Sequence, residues 1–231
     1  VKKMFIWTDE MIKFYRRAVC NSDYNKKMAE LIVEAIGTDR EYWDLGCGMS
    51  HLSLYMAKYA KKISCVDVEE KVLTYLKEKA EEHNIDNLTV HNMDYREYIY
   101  ENDGKGDCII VSHFLNMKEN LIPLLNSCNT LIIIKNNRGT RKWLKPHKKQ
   151  NAQEVEKMIK NMGLKYKKVD YVGDFGQPLK SLDEAILYYK TYTGKVLSRG
   201  EIKRKLKLTG DKTYPYKMPK EKDIGIIIVE K

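Results

Sequence analysis

Short apolar runs alternate along the chain with segments whose apolar residues recur at helical spacing. An apolar run bounded by turns is typical of a buried strand, whereas apolar residues at i, i+3, i+4 and i+7 indicate one face of a helix. The runs that predict strands are 42–45, 63–66, 88–90, 107–111, 131–134, 166–172 and 224–229. Because helical patterns lie between most of them, the chain is predicted to fold as an α/β protein.

Two amphipathic helices are predicted over residues 8–36. Thr8 is a good N-cap residue and is followed by Asp9 and Glu10, while Ser22 repeats the signal for the second helix. Since both helices precede the first strand, we expect them to lie over a ligand pocket as an N-terminal helical lid.

A glycine turn follows the first strand and opens a helix. Gly46 allows a tight turn, and Gly48 lets the backbone approach a ligand closely. Apolar residues at positions 52, 55, 56, 59 and 60 predict the helix. The second strand ends on Asp67, 19 residues after Gly48, where a carboxylate is placed to accept hydrogen bonds from ribose hydroxyl groups. The turn and Asp67 together predict a nucleoside-binding site.

In this stretch the sequence resembles the class I S-adenosylmethionine-dependent methyltransferases, in which Asp-Leu-Gly-Cys-Gly, residues 44–48, is a frequent form of the first motif. The resemblance covers residues 41–135. It implies a Rossmann-like, seven-stranded, mostly parallel sheet with helices on both faces and an antiparallel last strand. It also implies S-adenosylmethionine as the cofactor, with its methionine part on the first motif, its ribose on Asp67 and its adenine near Asp94. The cofactor-binding residues expected on this basis are Asp44, Gly46, Cys47, Gly48, Asp67, Val68, Met93, Asp94 and Ser112.

NAD is the alternative cofactor that a glycine turn and a later acid allow. NAD-binding proteins more often carry a third glycine, and this chain has Ser50 at that position. The difference disfavours a pyrophosphate cofactor and favours S-adenosylmethionine.

Two further polar residues follow predicted strands. Asp94 can cap the helix at 95–100, a role compatible with an adenine contact because a carboxylate has several lone pairs. His113 follows the fourth strand, at the sheet edge where ligands bind. Its imidazole can act as general base toward the methyl acceptor, or it can pack beneath the next helix. Both remain open, because methyl transfer depends mainly on alignment of the acceptor with the methyl group and does not require a base. We predict His113 as the candidate catalytic residue.

The segment after the fourth strand, 112–116, lacks the Asn/Asp-Pro-Pro-aromatic motif that is common in methyltransferases acting on exocyclic amines. This difference weighs against amino-group methylation of DNA or of adenine in RNA. Methylation of oxygen, carbon or a ring nitrogen remains open.

The positive charge is concentrated in two segments. Residues 135–149 contain seven Lys or Arg and no acid, and residues 195–222 contain ten against three acids. Each segment therefore carries +7, whereas the whole chain carries +10. In the predicted topology both segments leave the sheet at the cofactor edge, so this charge favours an anionic methyl acceptor over a merely solvated basic surface.

Three functions remain open. The first is methyl transfer to a small, anionic metabolite, with residues 173–222 forming a lid over the acceptor. The second is an RNA methyltransferase that uses both basic segments and stacks an aromatic side chain on a base. The residues expected to make these RNA contacts are Arg138, Arg141, Lys142, Lys203, Arg204 and Lys205 for phosphate and Trp143 or Tyr214 for stacking. The third is a cofactor-binding domain without catalysis, which the complete set of motif residues argues against.

The chain of 231 residues, with 43% hydrophobic residues, is most simply one domain. Within it we distinguish N-terminal helices (1–38), a cofactor-binding core (39–172), an inserted substrate-side segment (173–222) and the final strand (223–231).

The cysteines are widely separated and lie near no histidine cluster, which argues against a zinc site and a disulfide framework. No apolar run approaches the roughly 18 residues that cross a membrane, and residues 1–6 lack a signal-peptide core. We therefore expect a cytoplasmic protein without a metal.

Overall fold

The computed structural model describes residues 6–137 and 150–231. The helices in these ranges are α1 (Asp9–Cys20), α2 (Tyr24–Ile36), α3 (His51–Met56), α4 (Glu70–Glu82), α5 (Tyr95–Glu101), α6 (Met117–Asn126), α7 (Ala152–Asn161), α8 (Leu182–Thr193) and α9 (Arg199–Lys203). Thr8 caps α1 as predicted and accepts a hydrogen bond from the Met11 N–H at 3.2 Å. None of the helices in the two described ranges is both long and apolar enough to cross a bilayer.

The strands form two sheets. They are β1 (Glu41–Leu45), β2 (Lys62–Asp67), β3 (Leu88–Asn92), β4 (Gly106–Ser112), β5 (Cys128–Asn136), β6 (Tyr166–Asp174), β7 (Gln177–Leu179), β8 (Lys207–Leu208), β9 (Tyr216–Met218) and β10 (Glu221–Glu230). The larger sheet has seven strands in the order β3-β2-β1-β4-β5-β10-β6. Neighbours among β1 to β5 run parallel, and β10 runs antiparallel to β5. The predicted mostly parallel sheet with an antiparallel last strand is confirmed.

The middle of the large sheet is buried because its strands are nearly continuous apolar runs. Helices α6 and α7 pack on one of its faces through Leu121, Leu124 and Val155. Since β1 lies between β2 and β4, the direction in which successive strands are added reverses at β1. Ligands of open α/β sheets bind beyond the carboxyl ends of the strands at this reversal.

The chain divides into two compact units. Residues 25–171 and 223–231 form what we call the sheet unit, and residues 1–24 and 172–222 form the insertion unit. The segment that we expected to be inserted, 173–222, lies within the insertion unit. Helix α1 belongs to the insertion unit and nearly all of α2 to the sheet unit, so the N-terminal lid stays a prediction.

The insertion unit combines α1, α8 and α9 with a three-stranded antiparallel sheet in the order β7-β9-β8. Its core is built from Phe14, Leu179, Ala185, Tyr188 and Ile202. Sequence analysis did not predict this small sheet, because its strands are two or three residues long and carry no clear alternation.

Helix α3 is shorter than predicted. The apolar spacing indicated a helix reaching residue 60, but α3 ends at Met56. The side-chain Nδ2 of Asn87 donates to the carbonyl oxygens of Ala57 and Ala60, both at 2.8 Å. These bonds hold the segment after Met56 in a turn toward β2, so a tertiary contact overrides the local periodicity.

Candidate cofactor site

The turn between β1 and α3 has the backbone that glycine favours. Gly46 and Gly48 have φ angles of 66° and 55°, in the left-handed region. The backbone N–H groups of Gly46 and Cys47 both donate to the carbonyl of Val66, at 2.8 and 3.1 Å. The turn is therefore bonded to the end of the neighbouring strand β2.

Asp44 lies beneath this turn and is 2% exposed. Its Oδ2 accepts hydrogen bonds from the hydroxyl groups of Ser50 and Ser53, the latter at 2.7 Å. Burial raises the pKa of the Asp44 carboxyl, although the two serine bonds oppose that rise. Its buried Oδ1 has no hydrogen-bond donor among the described residues. Sequence analysis missed both serines, whose pairing with Asp44 depends on how α3 starts.

Asp67 joins the glycine turn to the loop after β2. Its Oδ2 accepts from the Gly48 N–H at 2.9 Å, and its Oδ1 accepts from the Glu69 N–H at 3.0 Å. The carboxylate thus lies beside the turn, as the spacing predicted. The next residue, Val68, is 44% exposed at the same edge of the sheet.

Asp94 caps α5, as one of its two interpretations predicted, and accepts from the Arg96 N–H at 2.9 Å. The Arg96 guanidinium also binds both carboxylate oxygens, at 2.8 and 2.9 Å, and these bonds lower the pKa of Asp94. The N–H of the preceding Met93 donates to the Asp67 carbonyl at 3.1 Å. The ends of β2 and β3 are therefore connected, while the adenine contact of Asp94 stays a prediction.

The segment after β4 begins with a strained residue. Ser112 ends the strand, and His113 has a φ of 55°, an uncommon value for a residue other than glycine. The His113 N–H donates to the Ile134 carbonyl at 2.9 Å. Such outliers cluster at functional sites, which supports a role for His113 without assigning one.

Phe114 was missed by sequence analysis. Its ring packs on Gly46, contacts Tyr95 edge-on with centroids 5.7 Å apart, and is 45% exposed. The sequence signal was an aromatic side chain two residues after a buried strand of this sheet. The ring covers the outer side of the glycine turn.

We expect Gly46→Ala to destabilise the protein by about 1–3 kcal/mol, because alanine is disfavoured at this φ and its Cβ would overlap the Phe114 ring. Urea unfolding measures the effect. Gly37→Ala is the matched control, since Gly37 has a φ of 84° and open space around it. Equal losses in the two variants would show that Phe114 does not constrain the turn.

The basic segment 135–149 is only partly described. Lys135 is 5% exposed and its Nζ donates to the Leu115 carbonyl at 2.5 Å, so Lys135 stabilises the loop after β4 and does not belong to an exposed basic surface. The predicted RNA contacts of Arg138, Arg141, Lys142 and Trp143 lie outside the described residues.

The charges of this edge suit a cationic nucleoside cofactor. Asp44 and Asp67 lie on neighbouring strands at either side of the glycine turn, and Asp44 Oδ1 can accept one more hydrogen bond. S-adenosylmethionine carries a sulfonium and an ammonium group, whereas a pyrophosphate would place negative charge beside these carboxylates. The fold is that of an α/β protein, and its candidate cofactor site lies at the reversal of strand order.

Comparison with known proteins shows which proteins this chain is similar to. The methyltransferase-domain family matches residues 43–132. A 23S rRNA uracil-C5-methyltransferase of Vibrio vulnificus is 30% identical over 73 residues, which are 32% of this chain and 19% of that protein. The structure of a precorrin-6y C5,15-methyltransferase from Geobacter metallireducens gives a TM-score of 0.53 at 13% identity, covering 100% of this chain and 92% of the other. A proposed RNA methyltransferase from Pyrococcus horikoshii gives 0.53 at 13% identity, covering 90% and 84%.

Residues 43–132 therefore resemble the methyltransferase-domain family, and the chain shares the α/β fold of the two solved structures. Methyltransferases of this family take the methyl group from S-adenosylmethionine, which agrees with the charge of the site.

Proposed function

We propose that this protein transfers the methyl group of S-adenosylmethionine to a small, anionic metabolite. The observation that carries the methyl-transfer part is the glycine turn held between two carboxylates, Asp44 and Asp67, at the carboxyl ends of β1 and β2. When bound, the cofactor supplies a methyl group activated on a sulfonium.

Each residue of the site has a proposed task. The turn at Gly46, Cys47 and Gly48 receives the methionine part of the cofactor. Asp67 accepts hydrogen bonds from the ribose hydroxyl groups through the carboxylate lone pairs that the Gly48 and Glu69 N–H groups do not use. Val68 and Met93 provide apolar contact for the adenine, with Asp94 and Ser112 at its polar edge. These contacts hold the methyl group in line with the acceptor.

His113 is proposed to hold the proton that leaves the acceptor. An imidazole nitrogen can accept that proton near neutral pH, and the backbone bond to Ile134 fixes the residue at the sheet edge. The basic segments support an anionic acceptor, because their +7 charges attract one electrostatically.

Calorimetric titration with S-adenosylmethionine, S-adenosylhomocysteine and NAD tests the cofactor. Micromolar binding of the two sulfur cofactors and none of NAD is expected, and binding of NAD alone would overturn the proposal. Transfer of labelled methyl groups into the small-molecule fraction of a cell extract then tests the acceptor. Cofactor binding without transfer to any fraction would favour the non-catalytic alternative.

RNA is the second candidate acceptor. Lys203, Arg204 and Lys205 are consecutive and exposed in the insertion unit, and two of the similar proteins are named for RNA methylation. Tyr214, one of the predicted stacking residues, has the Arg17 guanidinium over its ring at 4.8 Å, so that face is covered.

We expect binding of single-stranded RNA to be weak and nearly independent of salt if the acceptor is a metabolite. If RNA is the acceptor, the affinity falls steeply with salt. The logarithm of the association constant then decreases with the logarithm of the salt concentration, with a slope of about 0.7 per phosphate contact. Replacing Lys203, Arg204 and Lys205 by glutamine would then reduce that slope by about 2. Replacing the exposed Lys26, Lys77 and Lys118 of the sheet unit removes the same charge and serves as the control.

A further inference from the structure

The insertion unit contains a small pocket of its own, with a volume of about 90 Å³. Its wall is largely aromatic and includes two lysines. The lining residues are Trp7, Tyr15, Ala18, Phe175, Gln177, Tyr188, Tyr192, Lys220 and Lys222. The volume is well below the roughly 300–1,000 Å³ of pockets that enclose a whole drug-sized ligand. The pocket is suited to a one-ring molecule or to one end of a larger one.

The two lysines have aromatic rings as their neighbours. Lys222 Nζ lies 3.7 Å from the ring centroid of Phe175 and 4.6 Å from that of Tyr24. Lys220 Nζ lies 5.9 Å from the Phe175 centroid and 5.8 Å from the Tyr192 centroid. Lys220 is exposed and Lys222 is partly buried, and these cation–π contacts offset part of the cost of desolvating the Lys222 ammonium group.

The carboxylates nearby are bound to other cations. Asp174 is paired with Lys217, and Glu184 accepts from Arg17 at 2.6 Å. In the part of the chain that the structure describes, neither Lys220 nor Lys222 has an ion pair with an acid. Burial and the charge of Lys220 lower the pKa of Lys222 to about 7. Below that pKa the pocket therefore has a positive charge that none of the acids in these ion pairs compensates.

The rings of the pocket form two contacting groups. Tyr15 meets Trp7 edge-on at 5.3 Å and lies 5.9 Å from Phe175, while Tyr188 and Tyr192 lie 4.9 Å apart. The Phe175 N–H donates to the Lys220 carbonyl at 2.7 Å. This bond links the aromatic wall to the residue that precedes β10. Aromatic edges and faces held in this way favour a planar partner.

We propose that this pocket binds a small planar anion, an aromatic or conjugated carboxylate, with the carboxylate at Lys220 and Lys222 and the planar part against the rings. Charge complementarity determines the sign of the ligand, and the ring contacts and volume determine its shape. Binding of the anion does not depend on catalysis. Only its further identification with the methyl acceptor rests on the proposed function.

Benzoate is the probe that tests binding, measured by calorimetry and by quenching of Trp7 fluorescence. At pH 6 benzoate is expected to bind at least tenfold more tightly than the neutral benzamide and than the non-planar cyclohexanecarboxylate. Lys222→Met and Lys220→Met should each weaken benzoate binding at least tenfold. Lys212→Met, at an exposed position of the same unit, removes one charge and should leave binding unchanged.

The pH dependence of binding separates a ligand site from a structural cluster. Tyr24 and Lys220 are the titratable groups facing Lys222, and Tyr192 faces Lys220. Burial raises the pKa of Tyr192 to about 12, so Lys222 is the group expected to titrate near neutrality. Benzoate affinity should fall about tenfold from pH 6 to pH 8, because the Lys222 ammonium is lost in that range. Lys222→Arg should retain binding and lose the pH dependence.

Two outcomes overturn the proposal. The first is that benzoate does not bind at pH 6. The second is that benzamide binds the wild-type protein as tightly as benzoate does and that Lys222→Met binds benzoate as tightly as the wild-type protein. Lys222→Met is expected to remain folded, because it replaces a poorly compensated charge with an apolar side chain of similar length. Titration of the same samples with S-adenosylmethionine is independent of these residues. Intact cofactor binding with no benzoate binding rejects the pocket alone, and the reverse result rejects the proposed methyl transfer.

Discussion

Asp67→Ala is expected to weaken S-adenosylmethionine binding by about 2–4 kcal/mol, or roughly 30- to 900-fold in the dissociation constant. The variant removes the proposed acceptor of the ribose hydroxyl groups. It also removes the acceptor of the Gly48 and Glu69 N–H groups, bonded at 2.9 and 3.0 Å, so the glycine turn loses its connection to the loop after β2. Calorimetric titration with S-adenosylmethionine measures the loss.

Two variants separate the ligand contact from the backbone contacts. Asp67→Asn retains one carbonyl oxygen, which can accept from one of the two backbone N–H groups, but loses the charge. Its melting temperature should therefore stay closer to wild type than that of Asp67→Ala, while its cofactor affinity falls. Asp86→Ala removes an exposed carboxylate of the same sheet unit and should bind like wild type. Wild-type affinity in Asp67→Ala would mean that the cofactor is not held at the end of β2.

His113→Asn is expected to reduce the methyl-transfer rate by about 10²- to 10⁴-fold and to leave cofactor affinity unchanged. Asparagine tolerates the left-handed backbone of His113, whose φ is 55°, so this variant removes the imidazole and preserves the turn. The measurement is single-turnover transfer of a labelled methyl group into the acceptor fraction identified with wild-type protein.

His91→Asn is the matched control, because His91 lies on β3 of the same unit and has no proposed part in transfer. Its rate should equal that of wild type. If His113→Asn also transfers at the wild-type rate, the histidine packs at the sheet edge, and catalysis depends on alignment alone. The melting temperature of each variant shows whether a slow rate reflects lost chemistry or lost folding.

The insertion unit contains a second candidate binding site, the pocket proposed to bind a planar anion. Its core is separate from that of the sheet unit, and its pocket is lined by residues of the insertion unit alone. Cofactor binding and anion binding can therefore be changed by different sets of variants.

The sequence by itself determined the strands of the seven-stranded sheet and the position of the glycine turn beside the end of β2. Buried parallel strands are continuous apolar runs, and their carboxyl ends meet at one edge, so the glycine turn and the end of β2 could be placed from spacing alone. The hydrogen bond that the Gly48 N–H donates to Asp67 agrees with that placement. The role of Asp94 as an N-cap was also predictable from the sequence, because a helix cap is a local feature.

Only the tertiary structure decided the contacts between residues that are far apart in the chain. The packing of Phe114 on Gly46 and the burial of Lys135 against Leu115 leave no periodic signal in the sequence. The pocket around Lys222 is formed by segments that are more than 150 residues apart, and a local pattern does not determine which side chains such segments bring together.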